Sequence, residues 1–498
     1  MKIYTGEELQ RYLEDNENGY RCLSAKEKLD KYVHSKSRRV MCIYGLRETG
    51  KTTLMEQEMR DINDPEHTLY ILCSMDQQGT YAMHDLHDIL KEYKDCRYIF
   101  IDEITRIGNF IDCSSFLANI YSNAGRRVVV TGADTYSFSL AERDPLFDRI
   151  EFLETTFISF SDYQRLLGRD IKDYIMTGGC FGNTFEKGVD PWGYIGQAVI
   201  DNIIHSQDWC RNEYISGRSF GLPETFERSE AIKRVLITLN ALYVKDKVTD
   251  ILGMRGKEAV DRIIREASIP DSAYDKILTA LKEIDVIKEC GNLGKTRLVF
   301  LQPGMRYSLS MSVIDDVLSD VASPSEKAEY RNALSKAVQG LDFVEMIYYQ
   351  IMHVFDISFW SHSNMNVTGV ETEYGNVDLL IEDFRKEYDY DEVGEPDCDE
   401  DFARLAELSQ LDTSAAIQTI LSDSPDKGHW TKLYDDRVMQ QVRKKSGIET
   451  VHKAVIYTGR SMPSPYGEGY YINAGELFNH TEKVIDELLR YIDRFSIS

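Results

Sequence analysis

Eight residues, Gly45 to Thr52, constrain this 498-residue chain more than any other part of its sequence. They read Gly-Leu-Arg-Glu-Thr-Gly-Lys-Thr and fit the pattern GxxxxGK[ST] at every fixed position. A β-rich run, Arg39 to Tyr44, precedes them, and a helical pattern, TTLMEQEM, follows. Glycines let backbone N–H groups curl around phosphates, and the N-terminus of the next helix adds its dipole. The sequence therefore predicts a phosphate-binding loop between a strand and a helix.

The residues of this loop have expected roles around a nucleoside triphosphate, which we take to be ATP. Lys51 is expected to bridge the β- and γ-phosphates, and the Thr52 hydroxyl is expected to ligate Mg²⁺. We predict ATP contacts from Gly45, Leu46, Arg47, Glu48, Thr49, Gly50, Lys51, Thr52 and Thr53.

A second apolar strand ends in two acidic residues. The run Tyr98-Ile-Phe-Ile is followed by Asp102 and Glu103. A strand of this kind places Asp102 at the carboxyl edge of a sheet, where it is expected to hold the hydrated Mg²⁺. Glu103 is then expected to polarise the attacking water as a general base. The acidic pair indicates hydrolysis, because a protein that only binds nucleotide has no use for the glutamate.

A further strand, Arg127 to Thr131, supplies a polar tip beside this site. We predict that Thr131 orients the lytic water. Arg143 and Arg149 follow and could bring charge to the γ-phosphate, in cis or across a subunit contact. A solvated or salt-bridged side chain is the alternative for either arginine.

The order of strand-like and helix-like segments predicts three regions. Residues 1–170 alternate strands and helices, which predicts an α/β P-loop domain with a parallel sheet. Residues 171–324 are mainly helical and end in two short strands, the outline of a winged helix. Lys295 and Arg297 in that hairpin could touch a DNA backbone, or the module could only pack as a lid. Residues 325–498 predict a C-terminal α/β domain.

The segments YGLRETGKTTLM, FIDEITRIGNF and VTGADTYSFSLAERDPLFDRIEFLETTFISFSDYQRLLG resemble a family of bacterial and archaeal AAA-type ATPases. In that family Arg149 matches a Gly-Arg arginine, although Asp148 replaces the glycine. Ala133 replaces the serine of a Thr-Gly-Ser segment, and Asp162 replaces a glutamate before Tyr163.

The resemblance continues past this region. The segment from Phe300 to Arg306 is similar to the family's F-x-D-P-G-L-R, which closes a winged-helix-like segment. The last part is similar to the restriction-endonuclease-like domain of these proteins, with Asp378 on its metal-binding strand. Nuclease chemistry also needs Glu-x-Lys on the next strand, where this chain has Gln418 and Ile420. The resemblance thus implies a nuclease-like fold kept without its catalysis, unless Lys432 or another nearby lysine substitutes.

Composition and charge limit the classes of partner that the chain is expected to have. A net charge of −25 and a pI near 4.9 argue against non-specific nucleic-acid binding, although a local basic face could exist. Part of the acidic excess lies in one run, Ile381 to Glu407. Nine scattered cysteines, and no long apolar stretch, predict a cytoplasmic protein that does not enter membranes.

The function we expect is ATP hydrolysis, with Mg²⁺, used as a conformational switch. A second hypothesis is a DNA-binding module regulated by ATP, and a third is an ATP-dependent nuclease. A protein partner is possible, and both a monomer and an oligomer are compatible with these residues.

Overall fold

The computed structural model describes residues 1–17, 23–73, 81–143, 146, 148–181, 184–185, 190–204, 227–290, 297–321, 323–354, 365–370, 372–383, 413–421, 431–446, 451–459 and 469–496. The chain falls into two compact units. The first comprises residues 1–169, 176–287 and 300–317, and the second comprises residues 170–175, 288–299 and 318–498. The first two predicted regions thus share most of one unit, and the exact boundaries of the three regions stay a prediction.

The first unit is built on a six-stranded sheet with the order β1-β3-β4-β5-β2-β6. Its strands are β1 (Lys2–Tyr4), β2 (Val40–Tyr44), β3 (Thr68–Leu72), β4 (Tyr98–Asp102), β5 (Arg127–Gly132) and β6 (Ile150–Glu154). The strands β2 to β6 run parallel, and a parallel sheet was predicted. The edge strands β1 and β6 were not predicted, and β1 pairs antiparallel with β3. Three residues are too few to show a strand pattern in a sequence.

Both faces of this sheet are covered by helices, which explains its continuous apolar strands. Successive strand residues alternate between two cores: Val128 and Val130 enter one, and Val129 enters the other. The helices around the sheet are α1 (Gly6–Asp15), α2 (Lys26–His34), α3 (Lys51–Ile62), α4 (Met83–Glu92), α5 (Phe110–Cys113), α6 (Thr135–Arg143) and α7 (Phe160–Leu167), with a π-helical segment at Leu117–Ser122.

The middle of the chain is mainly helical, as predicted. Its helices are α8 (Ile171–Thr177), α9 (Pro191–Ile195), α10 (Arg228–Glu266), α11 (Asp271–Glu283) and α12 (Pro303–Val317), with a π-helical segment at Gly196–Ile200. Helix α10 is kinked at Gly253, where φ is 65°. Strands β7 (Ile287–Cys290) and β8 (Arg297–Phe300), which follow α11 and precede α12 along the chain, form a two-stranded sheet. Lys295 lies outside the described residues, and the winged-helix identity stays a prediction.

The second unit contains a five-stranded mixed sheet with the order β13-β12-β11-β10-β9. Its strands are β9 (Met365–Val370), β10 (Val377–Asp383), β11 (Thr413–Ile420), β12 (Val451–Tyr457) and β13 (Tyr470–Asn473). Strand β10 runs antiparallel to β9 and β11, whereas β11, β12 and β13 are mutually parallel. Its helices are α13 (Pro324–Val354), α14 (Asp436–Ser446), α15 (Ala474–Asn479) and α16 (Thr481–Ser496).

Within the described residues, no helix is both long enough and apolar enough to cross a membrane. Most of the acidic run Ile381 to Glu407 lies outside the described part of the chain.

Candidate functional site

The phosphate loop leaves β2 at the carboxyl edge of the first sheet and enters α3 at Lys51. Gly45 has a φ of 147°, and a Cβ added there would lie 2.5 Å from the carbonyl carbon of Thr155. No side chain fits that space, so the first position of the loop requires glycine. Gly50, with a φ of 88°, and Glu48, with a φ of 61°, give the loop its remaining left-handed turns.

Lys51 points back into the concave side of this loop. Its ammonium donates to the carbonyl oxygens of Gly45 and Leu46 at 2.9 and 2.6 Å, and the residue is 6% exposed. Burial lowers the pKa of Lys51, while the nearby carboxylates of Glu103 and Asp102 oppose that shift. The loop therefore holds a buried cation where a phosphate group would enter.

Thr52 and Asp102, the two expected magnesium ligands, lie in hydrogen-bond contact at this edge. The Thr52 hydroxyl donates to Asp102 Oδ2 at 2.7 Å. Thr131 donates to the other carboxylate oxygen, and the Tyr70 hydroxyl lies 3.3 Å from Oδ2. Burial raises the pKa of Asp102, and Glu103 adds to that shift, whereas the hydrogen bonds from Thr131 and Thr52 oppose it.

Glu103 follows in a left-handed conformation, with a φ of 57°. Its N–H donates to Thr131 Oγ1 at 3.0 Å. Its carboxylate accepts from the Ala133 N–H at 3.3 Å and lies 3.5 Å from Arg106 Nε. The unusual backbone conformation turns Glu103 away from the direction of the strand and towards the end of β5.

Arg106 is a residue of this site that the sequence analysis missed. Its side chain is 9% exposed, and its Nε lies 3.5 Å from the Glu103 carboxylate. Burial lowers the pKa of Arg47, and the nearby positive charge of Arg106 lowers it further. An arginine three positions after Glu103 in an otherwise apolar segment was the available signal, because i, i+3 residues share one side of a helical turn.

Thr131 lies in the site but has different partners from those expected. Its hydroxyl contacts Asp102 and the Glu103 N–H, and the residue is fully buried. The expectation that Thr131 orients the lytic water stays a prediction.

Arg149 is not brought to the site within one chain. Its carbonyl accepts from the Val40 N–H at 2.8 Å, at the amino edge of β2, and its exposed side chain donates to Asn119. The strand β2 separates this edge from the phosphate loop by roughly 16 Å at about 3.3 Å per residue. The geometry therefore contradicts a role for Arg149 at the γ-phosphate bound by its own chain. A role for Arg149 across a subunit contact stays a prediction. The side chain of Arg143 lies outside the described residues.

The remaining loop residues surround these groups. Leu46 and Thr49 are buried, with Thr49 Oγ1 donating to the Leu46 carbonyl at 2.8 Å, and Thr53 lies half-buried in the first turn of α3. The donor set fits ATP and Mg²⁺: a glycine-lined cradle and a buried ammonium suit phosphate, and a hydroxyl beside a carboxylate suits a hard cation.

The predicted nuclease-like position lies in the second unit. Asp378 Oδ2 accepts from Gln418 Nε2 at 2.5 Å and from the N–H and hydroxyl of Thr419, each at 2.8 Å. Gln418, which the family resemblance aligned with an acid, therefore lies beside Asp378. Ile420 is 1% exposed in an apolar core. The side chain of Lys432 lies outside the described residues.

Comparison with known proteins identifies one segment. Residues 37–164, about a quarter of the chain, match the family model described as an AAA domain. This range holds the phosphate loop, Asp102, Glu103 and Thr131. The chain therefore contains an AAA-type P-loop domain. No curated protein matches the chain.

Three solved structures align over more than half of the chain. Cdc6p from Pyrobaculum aerophilum is 11% identical, covers 62% of this chain and 98% of its own, and has a TM-score of 0.25. Drosophila ORC bound to DNA is 13% identical, with coverages of 60% and 86% and a TM-score of 0.21. Caenorhabditis elegans PCH-2 is 15% identical, with coverages of 56% and 69% and a TM-score of 0.19. These scores are too low to add to the family match.

Proposed function

We propose that this chain binds ATP together with Mg²⁺ at Gly45 to Thr52, hydrolyses it, and uses the cycle as a conformational switch. The observation that carries the proposal is the contact between Thr52 and Asp102, with Glu103 fixed beside them. These are the groups that magnesium-dependent hydrolysis of a triphosphate requires at one edge of a sheet.

Each residue has one task in this proposal. Lys51 places its positive charge against the phosphate oxygens, in exchange for its contacts to the Gly45 and Leu46 carbonyls. Thr52 and Asp102 would hold the magnesium ion, which supplies charge neutralisation at the phosphates. Glu103 accepts the proton of the attacking water, because its carboxylate is the partly exposed acid of the pair.

The switch part of the proposal rests on how the first unit is built. Residues 176–287 and 300–317 pack into the same unit as the AAA-type domain. A change in the loop on hydrolysis would therefore act directly on the helical region. Such a change requires different contacts in the two nucleotide states.

The test is steady-state ATP hydrolysis by the wild type, Glu103→Gln and a matched control, Glu92→Gln, at the exposed end of α4. We expect the wild type and the control to turn over with Mg²⁺ and to stop when the metal is chelated. Glu103→Gln should bind ATP and lose at least about a hundredfold in kcat. A wild type that binds no ATP contradicts the whole proposal, and equal turnover by Glu103→Gln contradicts the role of Glu103.

A second candidate function, DNA binding regulated by ATP, is favoured by one observation. The strands β7 and β8 follow α11 as a hairpin follows the helices of a winged helix. Adding duplex DNA to the same hydrolysis assay tests it, since stimulation would favour this function.

For the second unit we propose a nuclease-like fold that binds and does not cleave, because Ile420 takes the place of the expected lysine within an apolar core. Mg²⁺-dependent plasmid cleavage that Asp378→Ala abolishes would contradict this.

A further inference from the structure

The outer side of the phosphate loop is held by residues from beyond the AAA-type domain. The Tyr194 hydroxyl donates to the carbonyl oxygen of Arg47 at 2.9 Å. The N–H of Phe181 donates to the carbonyl oxygen of Glu48 at 2.8 Å. Thr184 donates its hydroxyl proton to the Glu48 carboxylate. Two successive carbonyls of the loop are thus fixed by a segment that lies outside residues 37–164.

Tyr194 is itself anchored by a second set of contacts. Its hydroxyl also lies 3.2 Å from Gln302 Oε1, and Gln302 Nε2 donates to the Thr156 carbonyl at 3.2 Å. Gln302 is 1% exposed, and the Tyr194 ring packs edge-on against Phe185 at 5.2 Å. Burial raises the pKa of the Tyr194 phenol well above its usual range, so the group remains a hydrogen-bond donor.

The direction of these bonds determines what the loop presents to a ligand. A trans peptide is planar, and its C=O and N–H point in opposite directions. A bond from Tyr194 to the Arg47 carbonyl on the outer side therefore turns the Glu48 N–H inward. The bond from Phe181 to the Glu48 carbonyl does the same for the Thr49 N–H. Inward N–H groups are what a phosphate-binding loop offers to its anion.

We propose that Tyr194 is a positioning residue for the nucleotide site, which pre-sets the Arg47–Glu48 peptide so that its N–H faces the phosphates. Nucleotide affinity then depends on a helix outside the AAA-type domain. The inference rests on the proposed function, because it concerns the same loop. Both ADP and ATP benefit, since the peptide is set before either ligand arrives.

The expected effect is in binding and not in chemistry. Removing one hydrogen bond that pre-organises a loop weakens affinity by about three- to tenfold. Tyr194 touches none of the groups assigned to the reaction, so kcat should stay within about twofold of the wild type. A loss of uniform binding appears as a raised KM with kcat unchanged.

The experiment compares Tyr194→Phe with Tyr163→Phe in the full chain. Tyr163 is the matched control, because its buried hydroxyl also has a protein partner, Thr177 Oγ1, at 2.6 Å, in the same unit. Dissociation constants for ADP and ATP, KM, kcat and thermal midpoints are measured for both variants and the wild type. We expect weaker binding of both nucleotides and a raised KM for Tyr194→Phe only.

Three outcomes overturn the inference. Equal nucleotide affinity for Tyr194→Phe and the wild type removes the positioning role while leaving the proposed function intact. Equal weakening in Tyr163→Phe would show a general loss of stability. A wild type that binds no nucleotide ends the proposed function, and this inference falls with it. Should Tyr194→Phe fail to fold, Phe185→Leu, which removes the ring that packs edge-on against Tyr194, must give the same raised KM.

Discussion

Replacing Thr131 by valine removes one hydroxyl and little volume from the most buried part of the site. That hydroxyl donates to Asp102 and accepts from the Glu103 N–H at 3.0 Å. Thr131 is fully buried and Asp102 is 2% exposed, so water cannot readily replace either bond. Valine would leave a buried carboxylate with one donor fewer and a buried N–H without its acceptor.

The expected loss of stability follows from these two bonds. A hydrogen bond to a charged group contributes about 1.5–3 kcal/mol, and a buried donor without a partner costs about 1–3 kcal/mol. The two bonds share one atom and do not add, so we expect a loss of about 2–4 kcal/mol. For a unit of this size the thermal midpoint falls by roughly 2–4 °C per kcal/mol, which gives about 5–15 °C.

The loss should also depend on pH. Burial raises the pKa of Asp102, and the bond from Thr131 opposes that shift, so removing the bond raises the pKa of Asp102 further. When an acid has a higher pKa in the folded than in the unfolded state, its protonated form stabilises the fold. That stabilisation is present at low pH and is lost as the pH rises through the folded-state pKa. The deficit of Thr131→Val should therefore grow from acid towards neutral pH.

Calorimetry of nucleotide-free protein provides the measurement, read at the transition that added ADP shifts upward. Thr249→Val is the control, because its hydroxyl donates to a carbonyl within helix α10 and touches no charged group. Thr131→Ser keeps the hydroxyl and should recover most of the loss. A midpoint for Thr131→Val within about 1 °C of the Thr249→Val midpoint would refute the reasoning.

Two further predictions concern charged contacts. Arg106→Gln should lower kcat about tenfold or more, with KM within about threefold of the wild type, because the Arg106 guanidinium orients Glu103. Arg106→Lys should recover part of the rate. A change confined to KM would count against this role of Arg106. Gln418→Glu places a second carboxylate beside Asp378, so Mn²⁺ should raise the thermal midpoint of this variant by several degrees more than that of the wild type. An equal response of the two proteins would contradict it.

The strands β2, β4 and β5 of the first unit were predictable because they carry one clear signal. Strands that are buried on both faces have no polar residues inside them, and parallel strands need connecting helices between them. The same logic places Asp102 at the edge of the sheet from which the phosphate loop leaves, since the ends of parallel strands meet at one edge. The edge strand β1 was not predicted, because a partly exposed strand of three residues has no such pattern.

The fine geometry of the site was not predictable from sequence. The left-handed backbone of Glu103 and its contacts with Arg106 and Ala133 depend on how the end of β4 packs against β5. The same holds for Tyr194, which lies far along the chain from the loop it contacts. Contacts of this kind join residues that are distant in sequence, and no local pattern encodes them.

Two aspartates, the buried Asp102 and the half-buried Asp378, show why a motif must be judged by the chemistry of its neighbours. Each carboxylate accepts several hydrogen bonds. At Asp102 the donors are side-chain hydroxyls, and an oxygen that donates to a carboxylate can also ligate a cation. At Asp378 two of the donors are the amide nitrogen of Gln418 and the backbone N–H of Thr419, and neither nitrogen has a lone pair to offer a metal. Divalent-cation chemistry is therefore expected at Asp102, and Asp378 is expected to hold β10 and β11 together.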